Sequence, residues 1–144
     1  MKKTVSILVL LSTIALLCAL NEYNPAPQNL TGVTAAVGEH LTYLITGTSN
    51  ASVWGSNDSA PYYTDDSGLA SAAVHSGIIG EDEKALVTFE VVSGGERYTG
   101  IERNGIGSRD YGAWRRGYRV LEAQSLMPPE RQASRVRLSL AGEG

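Results

Sequence analysis

The chain has 144 residues, 42% of them apolar, and a formal net charge of −3. That length fits one domain, and the acidic balance excludes general nucleic-acid binding, which rests on a basic excess. Cys18 is the only cysteine, so an internal disulfide framework is excluded as well. Charge is unevenly placed. Residues 21–95 hold nine acidic groups against Lys84 alone, whereas 96–119 hold Arg97, Arg103, Arg109, Arg115, Arg116 and Arg119 against three acids. An arginine-rich stretch of this kind permits contact with phosphate or carboxylate groups.

Residues 1–20 read as an export signal. Met1-Lys2-Lys3 is a short basic start, and Val5 to Leu20 is a mostly apolar run, shorter than the ~20 residues a spanning helix needs. A cleaved signal peptide is expected, with an uncleaved N-terminal anchor as the alternative. Cys18 raises a lipid-anchored form, although Leu17 stands before it where a small residue is usual. Membrane contact is expected only through this segment. Export without disulfides suits a bacterial envelope or secreted protein, so the expected location is extracytoplasmic, either secreted or periplasmic.

Residues 21–38 contain Pro25, Pro27 and Gly32 and read as an irregular lead-in. Leu41, Tyr43 and Ile45 then alternate through a strand that ends at Gly47. Val53-Trp54 suits a short strand that places Trp54 in the core. Asp66 or Ser67 is an expected N-cap, since a short side-chain oxygen accepts from the free amides of the first helical turn. Asp65 and Asp66 also stand where the helix dipole favours negative charge. The helix is expected over 69–76, with Gly77 as the stop residue.

Ala85 to Val92 is the strongest strand pattern, with Ala85, Val87, Phe89 and Val91 on one face. Ser93 to Glu96 reads as a turn and Arg97 to Ile101 as its return strand, making a hairpin. Asn104-Gly105 is a second turn signal. A last strand is expected at 117–121. Beyond Ala123 the pattern fades into a flexible tail over 124–144, with 136–140 as its one candidate strand. The reading is a single α+β domain over 39–123.

At about 100° per residue, Leu69, Ala72, Ala73 and Ser76 share one face of the helix, while Ser71 and His75 share the opposite one. Nearly every side is small, so neighbouring strands can approach closely. This suits short strands wrapped around one central α-helix better than an amphipathic surface helix. His75 then reads as a buried ring whose nitrogens bond to backbone or hydroxyl groups. A hydrolase using His75 with Ser71 or Asp66 is the competing reading. It lacks a nucleophile-elbow sequence, and two neighbours on one regular helix do not form an exposed nucleophile turn. Asp65, Asp66 and His75 also lack metal-ligand spacing, so neither metal nor cofactor is expected.

The order of Val53-Trp54-Gly55, Tyr63-Thr64-Asp65-Asp66-Ser67, Ala72-Ala73-Val74-His75-Ser76-Gly77, Tyr98-Thr99-Gly100, Arg103-Asn104-Gly105-Ile106 and Tyr111-Gly112-Ala113-Trp114 resembles the LCCL domain family. The likeness runs from about Leu41 to Ala123. It implies an extracellular module with one helix among β-strands and no assigned catalytic residues, for which binding of lipopolysaccharide or other envelope components has been proposed. Under that resemblance Trp54, Asp65, Asp66, His75, Gly77, Asn104 and Gly105 are structural positions. Animal members carry cysteines, one of them inside the helix, where Ala70 stands here.

The leading expectation is therefore an exported, non-enzymatic binding module for an anionic glycan, a lipid head group or an envelope protein. Its expected contact residues are Arg97, Tyr98, Arg103, Arg109, Tyr111, Trp114, Arg115 and Arg116, since arginine forks match anions and aromatic faces stack on sugars. The plainer reading places Tyr98 and Trp114 in the core and the arginines in ion pairs with Glu81, Asp82, Glu83 or Glu96. A structural adhesion or spacer domain is the alternative function.

Overall fold

A computed structural model of the chain describes residues 25–126. The expected export signal, Cys18 and the candidate strand at 136–140 lie outside the described residues. Within them, β1 spans His40–Thr46, β2 Tyr63–Thr64, α1 Leu69–His75, β3 Lys84–Gly95, β4 Glu102–Arg103, β5 Ile106–Gly107 and β6 Trp114–Ser125. The architecture is α+β, mostly sheet with one short helix.

Four strands form an antiparallel sheet in the order β1-β3-β6-β2, and β4 and β5 form a separate two-stranded ribbon. The alternation in β3 sets which face is dry. Ala85, Val87, Phe89 and Val91 are fully buried, while the residues between them are half-buried or exposed, as a strand's period of two requires. Phe89 meets Tyr118 of β6 edge-to-face, with ring centroids 5.5 Å apart. The β3–β6 register shifts between Thr88 and Phe89, so that Thr88 faces Glu122 and Phe89 faces Val120. Leu121 is the extra residue of this bulge.

The hairpin expected at Ser93–Glu96 does not form. β3 runs on to Gly95 and pairs with β6, where Gly95 faces Trp114. A side chain at Gly94 would meet the Trp114 carbonyl, so this glycine permits close strand approach instead of turning the chain. Residues 96–113 leave the sheet as an excursion. Tyr98 and Tyr111 exchange backbone hydrogen bonds at its base, at 2.8 and 3.0 Å.

The expected turn at Asn104-Gly105 does form. Both residues have positive φ, 50° and 77°, the requirement of a tight two-residue hairpin. Helix α1 also ends as expected, with Gly77 at φ 81°. The Asn104 side-chain amide donates to the His75 carbonyl at 2.9 Å, so the hairpin closes the helix C-terminus.

The helix start differs from the expectation. The N-cap is Gly68, without a side-chain cap bond or an acid in the first turn. Ser67 points back, accepting from Trp54 N–H at 2.9 Å, and Leu69 N–H is satisfied by the Gln28 carbonyl at 3.0 Å. Asp65 and Asp66 therefore precede the helix in a tight turn and do not cap it. Trp54 is a second correction: Val53 is the core residue at 1% exposure, and Trp54 is half-buried. Every residue of α1 except Ala70 is buried, and its apolar side chains join those of β3 and β6 in one core, with Leu30 from the lead-in.

Candidate functional site

His75 lies at the end of α1 and is fully buried. Its Nε2 faces the Ile101 carbonyl at 2.8 Å, and because a carbonyl only accepts, this nitrogen carries the proton. Nδ1 then accepts from the Tyr63 hydroxyl at 2.8 Å. Burial pushes the Tyr63 phenol up to about 12, so it stays a donor. Both ring nitrogens are thus engaged. Ser71 Oγ is directed elsewhere, accepting from Ala51 N–H at 3.1 Å. The grouping of His75 with Ser71 that a hydrolase requires is not assembled. Among the described residues no cluster of three or more His, Cys, Asp or Glu side chains is arranged to hold a metal.

Asp65 is the second buried polar centre. Its carboxylate is wholly enclosed and accepts from Trp114 Nε1 at 2.7 Å and Arg116 Nε at 2.9 Å. The rest of the Arg116 guanidinium donates to the carbonyls of Leu30, Val33 and Ala35. One ion pair therefore ties the lead-in, the Asp65 turn and β6 together. Asp66 is half-buried, with one carboxylate oxygen enclosed and lacking a hydrogen-bond partner.

The structure divides the expected contact residues. Tyr98 is 1% exposed and belongs to the interior, because the Tyr98–Tyr111 pairing turns it under the excursion. Arg116 is committed to Asp65 and the lead-in carbonyls. Arg103 makes a two-pronged pair with Asp58, which holds the Asp58 carboxyl below its usual range through that hydrogen bond. These three are not free contact groups.

Arg97, Arg109 and Arg115 are exposed, and none takes part in an ion pair among the described residues. Arg97 and Arg115 line grooves beside an aromatic ladder, and Arg109 bridges to Trp54 through its backbone. Trp54 meets Tyr111 edge-on at 6.4 Å between centroids, and Tyr111 meets Trp114 edge-on at 5.4 Å. Tyr111 is 41% exposed. Two shallow grooves flank the ladder. Arg97, Asp110 and Tyr111 line one of about 380 Å³, and Gly95, Trp114 and Arg115 line another of about 370 Å³. The surface offers cationic forks beside aromatic faces, and Asp65 fixes the indole of Trp114 from below.

A family model described as the LCCL domain matches residues 45–118, more than half of the chain. The chain belongs to the LCCL domain family. No curated protein matches it in sequence comparison. The residue groups that carried the resemblance include the interior framework of this LCCL domain: Asp65, His75, Gly77 and Asn104 all make the buried or turn-forming contacts described above. Sequence reasoning missed the partners of the arginines. Asp58 lies 45 residues from Arg103 and Asp65 51 residues from Arg116, and no spacing rule spans such distances.

Proposed function

We propose that this LCCL domain is an exported, non-enzymatic binding module that recognises anionic glycans or anionic lipid head groups at a cell surface or envelope. The observation that carries this reading is the exposed Arg97, Arg109 and Arg115 around the Trp54–Tyr111–Trp114 ladder. Guanidinium groups without an acidic partner supply charge-assisted donors to sulfate, phosphate or carboxylate, and an exposed aromatic face stacks on a sugar ring. Helix α1 serves in this reading as the hub about which strands and loops assemble, keeping the face rigid.

The reading is tested by titrating the protein with a sulfated glycan and with vesicles containing phosphatidylglycerol. Arg97→Ala, Arg109→Ala, Arg115→Ala and Tyr111→Ala are each expected to weaken binding by about tenfold, the scale of one lost hydrogen bond to a charged group. Added salt should weaken it further. Absent binding, or unchanged affinity in all four variants, removes this surface as the site and leaves the structural spacer reading.

A further inference from the structure

A pocket of about 320 Å³ is lined in part by the segment 55–62 and shares no lining residue with the two grooves beside the aromatic ladder. Its volume falls at the small end of ligand sites. Ser56, Asp58, Tyr62 and Arg119 supply its polar lining, and Ile78, Val120 and Leu121 its apolar wall. Leu121 is the extra residue of the β6 bulge, and bulges recur where a side chain is re-aimed towards a site.

The segment is held in an unusual backbone shape. Ser56, Asp58 and Tyr62 have φ of 51°, 56° and 66°, a region that side-chain-bearing residues rarely enter. Hydrogen bonds hold it: Ser56 N–H to the Tyr62 carbonyl, Tyr62 N–H to Ser59 and Asn57 N–H to Thr99. The Arg103–Asp58 pair adds a side-chain tether. The polar groups are thus fixed before any ligand arrives, which lowers the ordering cost of binding.

The charges at the rim occur as two closed pairs, Asp58 with Arg103 and Arg119 with Glu90. They leave no excess charge to attract an ion. What remains is directional. The Asp58 carboxylate has acceptor capacity beyond Arg103. Arg119 gives Nε to Glu90 and places its guanidinium 5.7 Å from the Tyr62 ring centre. The Tyr62 side chain also hydrogen-bonds the guanidinium, whose five N–H groups leave donors beyond Glu90 and Tyr62. An acceptor and a donor on one small rim match adjacent hydroxyls, each of which donates and accepts. The apolar wall matches the C–H face of a sugar ring.

We propose that this pocket is a subsite for one neutral pyranose ring of a glycan, held through adjacent hydroxyls by Asp58 and Arg119 and through its C–H face by Val120 and Leu121. The pocket stands independently of the anion-binding surface, although the two sites are neighbours. Pro61 of the same segment lies against Gly95, which lines the groove beneath Trp114.

The test is NMR titration of the isotope-labelled protein with methyl glycosides of glucose, galactose and N-acetylglucosamine, one at a time, and separately with glycine and sulfate. At least one glycoside is expected to shift the amides of Ser56, Tyr62 and Leu121 saturably and without salt dependence. Asp58→Gly keeps the positive-φ backbone and should weaken that binding at least about tenfold. The Arg97→Ala/Arg115→Ala double variant should leave it unchanged, which separates this pocket from the anionic surface. If Asp58→Gly does not fold, Tyr62→Asn takes its place, since asparagine also tolerates this backbone region. The proposal is overturned if no glycoside moves these amides, if only glycine or sulfate does, or if the folded variant binds as the parent does.

Discussion

Replacing Asp65 by alanine isolates the energetic role of the buried ion pair. The Asp65 side chain is 1% exposed and that of Arg116 20%. Removing one member of a buried pair costs about 3–5 kcal/mol, because the other charge stays uncompensated. Arg116 keeps partial solvent access and three backbone carbonyls, so about 3 kcal/mol applies. The stranded Trp114 N–H adds about 1 kcal/mol. A loss of about 4 kcal/mol is a large part of a typical domain's stability and corresponds to a Tm lowered by about 15 °C or more at this size. Thermal and urea unfolding of Asp65→Ala, Arg116→Met and the double variant form the assay. The double variant should be less damaged than the sum of the singles by about 1–3 kcal/mol, since removing both charges leaves none stranded. Strictly additive losses, or a Tm within about 5 °C of the parent for Asp65→Ala, would refute the reasoning.

His75→Phe keeps an aromatic ring but removes the Tyr63 hydroxyl's ring-nitrogen partner, while the Ile101 carbonyl keeps the Ser108 N–H and hydroxyl; it should destabilise by about 1–3 kcal/mol, read by urea unfolding. Stability should also fall in alkali. Burial raises the phenol of Tyr63 to about 12 and that of Tyr118 well above its ordinary value, the unfolded value being about 10. The folded chain therefore holds protons that the unfolded chain releases. Their contribution is complete below about pH 10 and is lost as pH rises from there through the folded pKa, with a slope up to about 1.4 kcal/mol per pH unit for each phenol. Phenolate absorbance and circular dichroism followed together should show Tyr63 ionising only as the fold is lost. A tyrosine titration complete near pH 10 with the fold intact contradicts this.

Much of the framework was legible because it follows from short-range rules. Alternation in β3 announced its buried face, Asn104-Gly105 its tight turn, and Gly77 the end of the helix. His75 announced a satisfied interior ring. Several family motifs were legible for the same reason, since the clusters around Asp65, His75 and Asn104 have buried or turn-forming tasks. Three readings failed where a local signal had a distant competitor. Gly94 carries a turn-forming residue type, but the Trp114 carbonyl opposite makes it a point of close strand approach. Asp65 has the chemistry of a cap, but Arg116 and Trp114 draw it into the interior. Tyr98 looks like a contact residue, but its pairing with Tyr111 buries it.

The candidate surface shows the same division. Its residue types are set by the sequence between Arg97 and Arg116, yet which arginines stay free is decided by acids contributed from elsewhere. Asp58 and Asp65 remove Arg103 and Arg116 from the surface and leave Arg97, Arg109 and Arg115. By itself, the sequence determined the helix stop, the central strand, the hairpin turn and the family, because neighbours along the chain fix those through backbone geometry and side-chain period. Only the tertiary structure decided the β3–β6 pairing, the charge partners and the shape of the pocket under residues 55–62. These depend on residues far apart in the chain whose encounter is set by burial of the whole core.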